Sequence, residues 1–549
     1  MYQFYWCDMS EQQISQLLGE FDYIVVGAGS AGCVLANRLT EDPGIKVLLL
    51  EAGGRDWNPW IHIPVGYFKT MHNPATDWCY LTDTDQGIAG RRLQWPRGKV
   101  LGGSSSLNGL LYIRGQHQDY DDWAALGNQG WSYREVLPYF KKSECQSRGA
   151  DAYHGVDGPL RVSDLRLRRE IADRFVEAAQ QIGIPVNPDF NGERQEGVGY
   201  FQQTAHNGLR CSTARAFLHP VLKRPNLTLL THAHTRRVLL EGKQATGIEF
   251  EHNGKRLQAR AKREVVLSAG AIGSPQILQC SGIGEPEHLS SVGVECLHPL
   301  PGVGENLQDH LQIRLVFKTL CKTLNDEVNS LIKKLAVGLQ YAFYRTGPLT
   351  LAASQVCIFT RSRAGLDRPD IQFHMQPLSA DKPGEGVHPF SAFTASVCQL
   401  RPLSRGYVKI LNADPHQYPS IQANYLSAKE DQQVAVAAIK VARQIAEADA
   451  LKAVITDEFV PGRQYQTDEE LLEAARIFSQ SIYHPVGTCK MGNDELAVVD
   501  ARLRVHGIKG LRVADASIMP LLISGNTNAP SIMIGEKAAD MIKEDHRHG

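Results

Sequence analysis

Residues 481–492, SIYHPVGTCKMG, contain two side chains whose types could do chemistry, His484 and Cys489. Three roles are open to His484: a metal ligand, a buried structural ring, or a base that removes a proton. A metal site needs partners at fixed spacing, and no H-x-x-x-H or C-x-x-C pattern lies nearby. We therefore predict no metal site and place Cys489 in the core. With an ordinary pKa of about 6.5, a histidine suits proton removal near neutral pH.

A glycine-rich turn near the start of the chain favours binding of a dinucleotide. Gly27, Gly29 and Gly32 form G-x-G-x-x-G between an apolar run, YIVV, and residues at helical spacing, and KVLLL then reads as a second buried strand. This strand–turn–helix–strand order predicts a βαβ unit whose helix N-terminus receives a pyrophosphate. Glu51 ends the second strand, where an acidic side chain accepts hydrogen bonds from ribose hydroxyls. The motif fits NAD or FAD, and its place ahead of a long remaining chain favours FAD.

A second glycine cluster occupies residues 96–115, PRGKVLGGSSSLNGLLYIRG. Adjacent glycines let the backbone lie against a flat or anionic ligand, and serine hydroxyls and Asn108 supply directed hydrogen bonds. The apolar LLYI that follows argues against a simple surface loop. We predict that this loop also contacts the cofactor.

Several motifs in order resemble the glucose–methanol–choline (GMC) oxidoreductases. They are GKVLGGSSSLN, GAIGSPQILQCSGIG, PGVGENLQDH, HPVGTCKMG, LRVADASIMP and GNTNAPSIMIGEKAAD, and the resemblance extends over residues 21–545. Within the family the chain looks most similar to bacterial-type alcohol and choline dehydrogenases. The resemblance implies an α/β fold, with a Rossmann-like FAD-binding domain interwoven with an α+β substrate domain of antiparallel sheet and helices.

The resemblance implies FAD as the cofactor and assigns its binding residues. Some relatives attach FAD covalently through a histidine just before Asn108; Leu107 stands there, so we predict non-covalent FAD. Thr235 occupies the place of a valine that touches the adenine in many relatives. The predicted cofactor residues are Gly27, Gly29, Ser30, Ala31, Gly32, Glu51, Ala52, Lys99, Leu101, Gly102, Gly103, Ser104, Asn108, Gly109, Thr235, Ala269, Gly270, Asp515, Ala516, Thr527 and Asn528.

The resemblance also makes His484 the catalytic base, since it matches the histidine of the family's H-P-x-G-T motif. A second catalytic His or Asn lies near the C-terminus of relatives, and counting back from MIGEKAAD places Asn526 there. Asn528 is predicted to lie nearer the flavin. His310, in NLQDH, is interpreted as a packing residue.

Three residues are predicted to contact substrate: Gln312, His374 and Tyr483. His374 could equally be a structural histidine. Choline-specific relatives carry a glutamate at the place of Gln312, and a neutral amide cannot pair with a cation. The sequence thus favours an uncharged primary alcohol over choline.

The predicted function is FAD-dependent oxidation of a primary alcohol to the aldehyde, with electrons passed to a quinone or another non-NAD acceptor. Two alternatives remain open. One is an oxygen-using alcohol oxidase of the same fold, including a choline-type oxidase. The other is a protein similar to the hydroxynitrile lyases, which keep FAD without using its redox chemistry.

Composition limits the partners and the compartment. Lys+Arg number 58 against 59 Asp+Glu, so no basic excess is present to neutralise nucleic acid. The 11 scattered cysteines favour a reducing compartment over a disulfide framework. No apolar run is long enough to span a bilayer and no signal peptide is recognisable. We expect a cytoplasmic protein, with peripheral association with the inner face of a membrane left open, as is its oligomeric state.

We expect two interwoven domains, because no low-complexity linker separates the elements. The FAD-binding domain is assigned to residues 20–150, 205–305 and 484–549. The substrate-binding domain is assigned to 151–204 and 306–483, and residues 1–19 to an N-terminal extension.

Overall fold

The computed structural model describes residues 16–328, 331–352, 354–381 and 386–547. Its strands are β1 (Gln16–Val26), β2 (Val47–Leu50), β3 (Tyr80–Leu81), β4 (Gln94–Trp95), β5 (Glu144–Gln146), β6 (Leu160–Asp164), β7 (Gly197–Tyr200), β8 (Gln202–Gln203), β9 (Ala205–His206), β10 (Leu209–Arg210), β11 (Leu227–Leu230), β12 (Ala233–Glu241), β13 (Gln244–His252), β14 (Lys255–Leu267), β15 (Ile283–Gly284), β16 (His298–Pro299), β17 (Leu311–Thr319), β18 (Val356–Thr360), β19 (Ile371–Gln376), β20 (Ala392–Gln399), β21 (Tyr407–Lys409), β22 (Ser420–Gln422), β23 (Ile455–Val460), β24 (Ser479–Ser481) and β25 (Leu511–Val513).

The α-helices fall between and after these strands. They are α1 (Ser30–Leu39), α2 (Pro59–His62), α3 (Tyr67–Thr70), α4 (His117–Ala125), α5 (Tyr133–Ser143), α6 (Glu170–Gln181), α7 (Gly270–Cys280), α8 (Pro286–Ser291), α9 (Leu324–Val328), α10 (Leu331–Tyr344), α11 (Lys429–Glu447), α12 (Asp449–Lys452), α13 (Asp468–Phe478) and α14 (Asn528–Asp545). Among the described residues, no helix combines the length and the apolar character needed to cross a bilayer.

The first sheet has seven strands in the order β11-β2-β1-β14-β13-β12, with β25 pairing with β14. Pairing is parallel from β11 to β14 and at β25, and antiparallel in the β12–β13–β14 meander. The apolar runs at the ends of β1 and β2 are buried on both faces, as expected for a parallel sheet covered by helices. α1 and α14 pack together against this sheet.

The second sheet has seven antiparallel strands in the order β23-β17-β20-β19-β18-β7, with β24 pairing with β17. α6 and α11 cover one face through a separate apolar core. Alternate residues of β17, namely Ile313, Leu315 and Phe317, point into that core. On the other face, β17, β19 and β20 present mainly polar side chains near the cavity, whereas Cys357 and Phe359 of β18 pack in a further apolar cluster. Together the two sheets confirm the predicted fold, while the domain boundaries stay a prediction.

The last residues of the predicted N-terminal extension belong to the first sheet, and the extension itself stays a prediction. Residues 16–19 begin β1, and Gln16 pairs with Leu257 of β14. This part of the strand is exposed and extends along the meander beyond the buried sheet, so no apolar run marks it in the sequence. Residues 1–15 of the predicted extension lie outside the described residues.

Candidate active site

A cavity of about 350 Å³ connects the carboxyl ends of the first sheet's parallel strands with the polar face of the second sheet. Val26 and Glu51 line one end, while Gln312 and His374 line the other. Ligands of open α/β sheets bind outside the carboxyl ends of the strands, so the cavity lies where a dinucleotide is expected.

The glycine turn brings backbones too close together for side chains. Gly27 has φ +99°, and a Cβ there would lie 2.5 Å from the Ser268 carbonyl oxygen. A Cβ on Gly32 would lie 1.8 Å from the carbonyl oxygen of Gly27, and one on Gly103 would lie 2.8 Å from Cα of Gly29. The first and second glycine clusters therefore pack against each other, and the N-terminus of α1 opens on the cavity without a side chain in front of it.

Glu51 lies at the end of β2 and is buried. Its carboxylate accepts hydrogen bonds from the backbone N–H of Ala28 (3.0 Å) and of Gly53 (2.8 Å). Burial raises the pKa of Glu51 to about 7. Each carboxylate oxygen can accept more than one hydrogen bond, so the side chain can still receive ribose hydroxyls from the cavity.

Two further helices begin at the cavity. Asp515 accepts hydrogen bonds from the Gly270 N–H (2.9 Å) and the Ser274 hydroxyl (2.6 Å), which fixes the first turn of α7. At the start of α14, the Asn528 side-chain oxygen accepts a hydrogen bond from Ser30 of α1 (2.8 Å). Three helix N-termini thus converge on one space, and their partial positive charge favours an anionic ligand.

These features fit FAD. The pyrophosphate would face the glycine turn and α1, Glu51 would hold the adenosine ribose, and the segments at 515–516 and 526–528 would face the rest of the cofactor. The buried hydroxyl of Thr235 has no hydrogen-bond partner among the described residues, which leaves it free for a ligand.

His484 lies at the junction of the two sheets and is 7% exposed. Its Nε2 is 3.1 Å from Asn526 Nδ2, and its Nδ1 is 2.9 Å from Nδ1 of His310. Tyr483 has φ +68° and Gly487 has φ +92°, so the backbone on either side of the H-P-V segment turns sharply. This turn points the imidazole into the cavity.

The hydrogen bonds fix the tautomer of His484. Nε2 of His310 is 2.9 Å from the Leu400 carbonyl oxygen, which can only accept, so this nitrogen carries the proton. Burial lowers the pKa of His310 to about 4, so the ring is neutral and its Nδ1 accepts. His484 must then donate from Nδ1, which leaves a lone pair on its Nε2, where the Asn526 amide donates. Burial, with the nearby histidines, also lowers the pKa of His484, so the ring is a free base at neutral pH.

Asp309 anchors the segment that carries His484. Its buried carboxylate accepts hydrogen bonds from the His484 N–H (2.7 Å), the Ser481 hydroxyl (2.6 Å) and the Tyr425 hydroxyl. Burial raises the pKa of Asp309. Arg97 adds a hydrogen bond of 2.6 Å from Nη2 to the Tyr483 carbonyl oxygen. These bonds hold the backbone around His484 from both sides.

The three predicted substrate residues all line the cavity. His374 of β19 is buried and stacks on Phe201 with ring centroids 5.3 Å apart. Burial lowers the pKa of His374 to about 3, and the nearby Asn526 side chain offsets part of this shift. Burial raises the pKa of Tyr483 to about 12. Gln312 presents a neutral amide, so this end offers several polar groups for an uncharged hydroxyl.

Four predicted cofactor residues do not line the cavity: Gly32, Lys99, Leu101 and Gly102. They lie behind it. Lys99 places its Nζ 4.6 Å from the Trp78 ring centroid, and Leu101 is buried. The other predicted cofactor residues line the cavity, as do His484 and Asn526. Cys489 lies in the main core, as predicted.

Sequence reasoning missed Asp309, Arg97 and Arg314, and it interpreted His310 as packing only. The signal for Arg314 was available: it follows Gln312 by two residues on a strand, which places both side chains on one face. The relation between His310 and His484 spans 174 residues, and no local pattern reveals it.

Comparison with known proteins agrees with this geometry. Residues 21–312 and 402–535 match the N- and C-terminal family models described as GMC oxidoreductase. The chain belongs to the GMC oxidoreductase family. FAD is the cofactor of that family.

Individual GMC relatives cover almost the whole chain. Mitochondrial choline dehydrogenase of Homo sapiens is 44% identical, over 96% of this chain and 91% of that protein. Alcohol dehydrogenase (acceptor) of Pseudomonas putida is also 44% identical, over 95% of each chain. The crystal structure of pyridoxine 4-oxidase from Mesorbium loti superposes with a TM-score of 0.87 at 32% identity, covering 96% of this chain and 100% of that one.

Proposed function

We propose that the protein is an FAD-dependent dehydrogenase that oxidises a primary alcohol to the aldehyde and passes the electrons to a quinone or another non-NAD acceptor. Bound FAD supplies the acceptor for the hydride that leaves the alcohol carbon. When the alcohol binds, its hydroxyl replaces the Asn526 amide at the lone pair of His484 Nε2. His484 Nε2 then removes the hydroxyl proton, and the Asn526 amide donates to the oxygen beside it. The observation that carries this proposal is the hydrogen-bond chain that leaves a lone pair on His484 Nε2 inside the cavity.

The experiment is anaerobic mixing of alcohol with the holoenzyme while flavin absorbance is recorded. We expect His484→Ala to lose roughly 10²- to 10⁴-fold in the rate of flavin reduction, the usual contribution of a general base. FAD content should stay normal, because His484 lies outside the glycine turn at residues 27–32 that would hold the pyrophosphate. His206→Ala, at an exposed histidine outside the cavity lining, is the control. Unchanged reduction in His484→Ala would refute the assignment.

An oxygen-using alcohol oxidase is the second candidate, because the superposed structure at 32% identity is that of pyridoxine 4-oxidase. The two functions differ in what becomes of the electrons. If hydrogen peroxide appears at the rate of substrate loss in air, the protein is an oxidase. If turnover in air is slow and a quinone accelerates it, the dehydrogenase proposal holds.

The cofactor attachment and the charge of the substrate follow from side chains at the cavity wall. Leu107 and Asn108 line the cavity, and an apolar Leu107 offers no nucleophile to the flavin, so we propose that FAD is non-covalent. Heat or acid precipitation should then release all the FAD into the supernatant. Neutral Gln312 argues against a cationic alcohol such as choline. A cytoplasmic location and peripheral membrane association stay predictions.

A further inference from the structure

A buried arginine lies at the substrate end of the cavity. Arg314 of β17 is 8% exposed and lines the cavity on the same strand face as Gln312. Its Nη1 and Nη2 donate to the carbonyl oxygens of Asp381 (3.3 Å) and Ala380 (3.2 Å). A guanidinium has five N–H donors, and the others have no partner within 16–328, 331–352, 354–381 and 386–547. In those ranges Arg314 also forms no ion pair.

The charges around the cavity are divided between its ends. The carboxylates in the lining, Glu51 and Asp515, lie at the dinucleotide end. At the substrate end the charged lining residues within the described part of the chain are Arg97 and Arg314. Arg97 interacts with the buried carboxylate of Asp309, whereas Arg314 donates hydrogen bonds only to carbonyl oxygens, and the carboxylate that acts on it at longer range, that of Asp381, is exposed to solvent. An arginine stays charged even when buried, so the substrate end carries a positive charge that no ion pair among the described residues neutralises.

A buried charge without an ion pair is costly unless a ligand neutralises it. We propose that the substrate is an alcohol that carries a carboxylate, and that Arg314 binds this carboxylate while His484 receives the hydroxyl. This proposal rests on the proposed function and names its substrate class. A guanidinium matches a carboxylate with two parallel hydrogen bonds, and it repels a quaternary ammonium group.

The sheet sets the spacing between the two ends of such a substrate. Arg314 follows His310 by four residues, which corresponds to roughly 13 Å along a strand. Across the sheet, Arg314 pairs with Ser396, and Ser396 pairs with His374. The buried Ser396 hydroxyl has no hydrogen-bond partner in the described part of the chain. Because the arginine side chain covers part of this span, several carbon atoms fit between hydroxyl and carboxylate.

The test compares matched substrates that differ only in charge. Holoenzyme is mixed anaerobically with 4-(hydroxymethyl)benzoate or its neutral amide, and with 6-hydroxyhexanoate or its amide. We expect the carboxylate to exceed its amide by roughly 10- to 100-fold in reduction rate over Kd in at least one pair, as for a charge-assisted hydrogen bond. Arg314→Met should lose this preference, and Arg314→Lys should keep part of it. Arg237→Met, at an exposed arginine, should keep all of it.

A binding measurement separates this proposal from the proposed function. The unreactive 4-methylbenzoate and 4-methylbenzamide are titrated against the flavin absorbance of wild type and of both Arg314 variants. Tighter carboxylate binding that Arg314→Met abolishes supports the proposal even where no alcohol reduces the flavin. If the wild type reduces and binds the carboxylate and the amide equally well in both experiments, the proposal is overturned. In that case, flavin reduction by the amides that still depends on His484 would leave the proposed function standing. If Arg314→Met fails to retain FAD, the carboxylate-over-amide preference of the wild type and of Arg314→Lys tests the proposal instead.

Discussion

Replacing His310 tests the tautomer of the base. In the wild type the Nδ1–H form of His484 donates to His310, whereas the Nε2–H form would bring two lone pairs together across 2.9 Å. The Nδ1–H form gains one hydrogen bond and avoids leaving two buried nitrogen lone pairs facing each other. Together these effects favour this reactive tautomer by about 2–4 kcal/mol. This corresponds to a factor of roughly 30 to 1,000 in the tautomer ratio. His310→Leu leaves the buried Nδ1–H of His484 without an acceptor, which favours the unreactive Nε2–H form by about 1–3 kcal/mol and should lower the rate of flavin reduction by roughly 5- to 150-fold.

The matched variant is His310→Gln. A glutamine oxygen can accept from His484 Nδ1–H while its amide donates to the Leu400 carbonyl, so this variant should recover most of the rate. Both variants are compared in anaerobic stopped-flow reduction over pH 5–9, with FAD content and melting temperature as controls for folding. Wild-type reduction kinetics and an unchanged pH profile in His310→Leu would refute the reasoning. Equal losses in the two variants would show that His310 matters for packing alone.

Three further predictions concern the pH dependence of stability, the Asn526 side chain and the glycine turn at residues 27–32. Burial lowers the pKa of His374 to about 3, so the unfolded chain binds protons below about pH 6.5 where the folded state does not. The free energy of unfolding should therefore fall as pH falls from 6.5 toward 3. His374→Gln should make this dependence less steep in urea titrations, while buried His310, with its pKa of about 4, keeps part of it. Asn526→Ala removes one neutral hydrogen bond and should slow flavin reduction by about tenfold with little change in FAD content. Gly32→Ala would force a Cβ against the Gly27 carbonyl and should abolish FAD retention on gel filtration, whereas Gly338→Ala, with open space around it, should not.

The dinucleotide end of the cavity was predictable from sequence because its chemistry is local. Gly27, Gly29 and Gly32 fall within six residues, and Glu51 follows at the end of the next strand. Each of these residues acts through the backbone beside it, so spacing alone specifies the arrangement. The motifs that resemble the GMC family added His484 and Asn526, and the structure brings those two side chains to 3.1 Å.

The support of the base was not predictable in the same way. His310 contacts His484 only because β24 pairs with β17, which brings the residues just beyond the two strands together. Asp309 acts on the same segment through the backbone N–H of His484. Such long-range contacts leave no periodicity in the sequence, and an isolated histidine after an acidic residue is compatible with simple packing.

The alternation of side chains along β17 connects the position of His310, which supports His484, to the position of Arg314, which would bind the substrate carboxylate. Ile313 and Leu315 of β17 are buried in the apolar core, which forces Gln312 and Arg314 onto the opposite face with the cavity. His310 lies just before β17 and, at two residues from Gln312, shares the face of Gln312 and Arg314. A shift of one residue in this pairing would move all three polar side chains to the core face, where no partner could satisfy them. The apolar core therefore sets the register, and the register sets both the tautomer of His484 and the charge presented to the substrate.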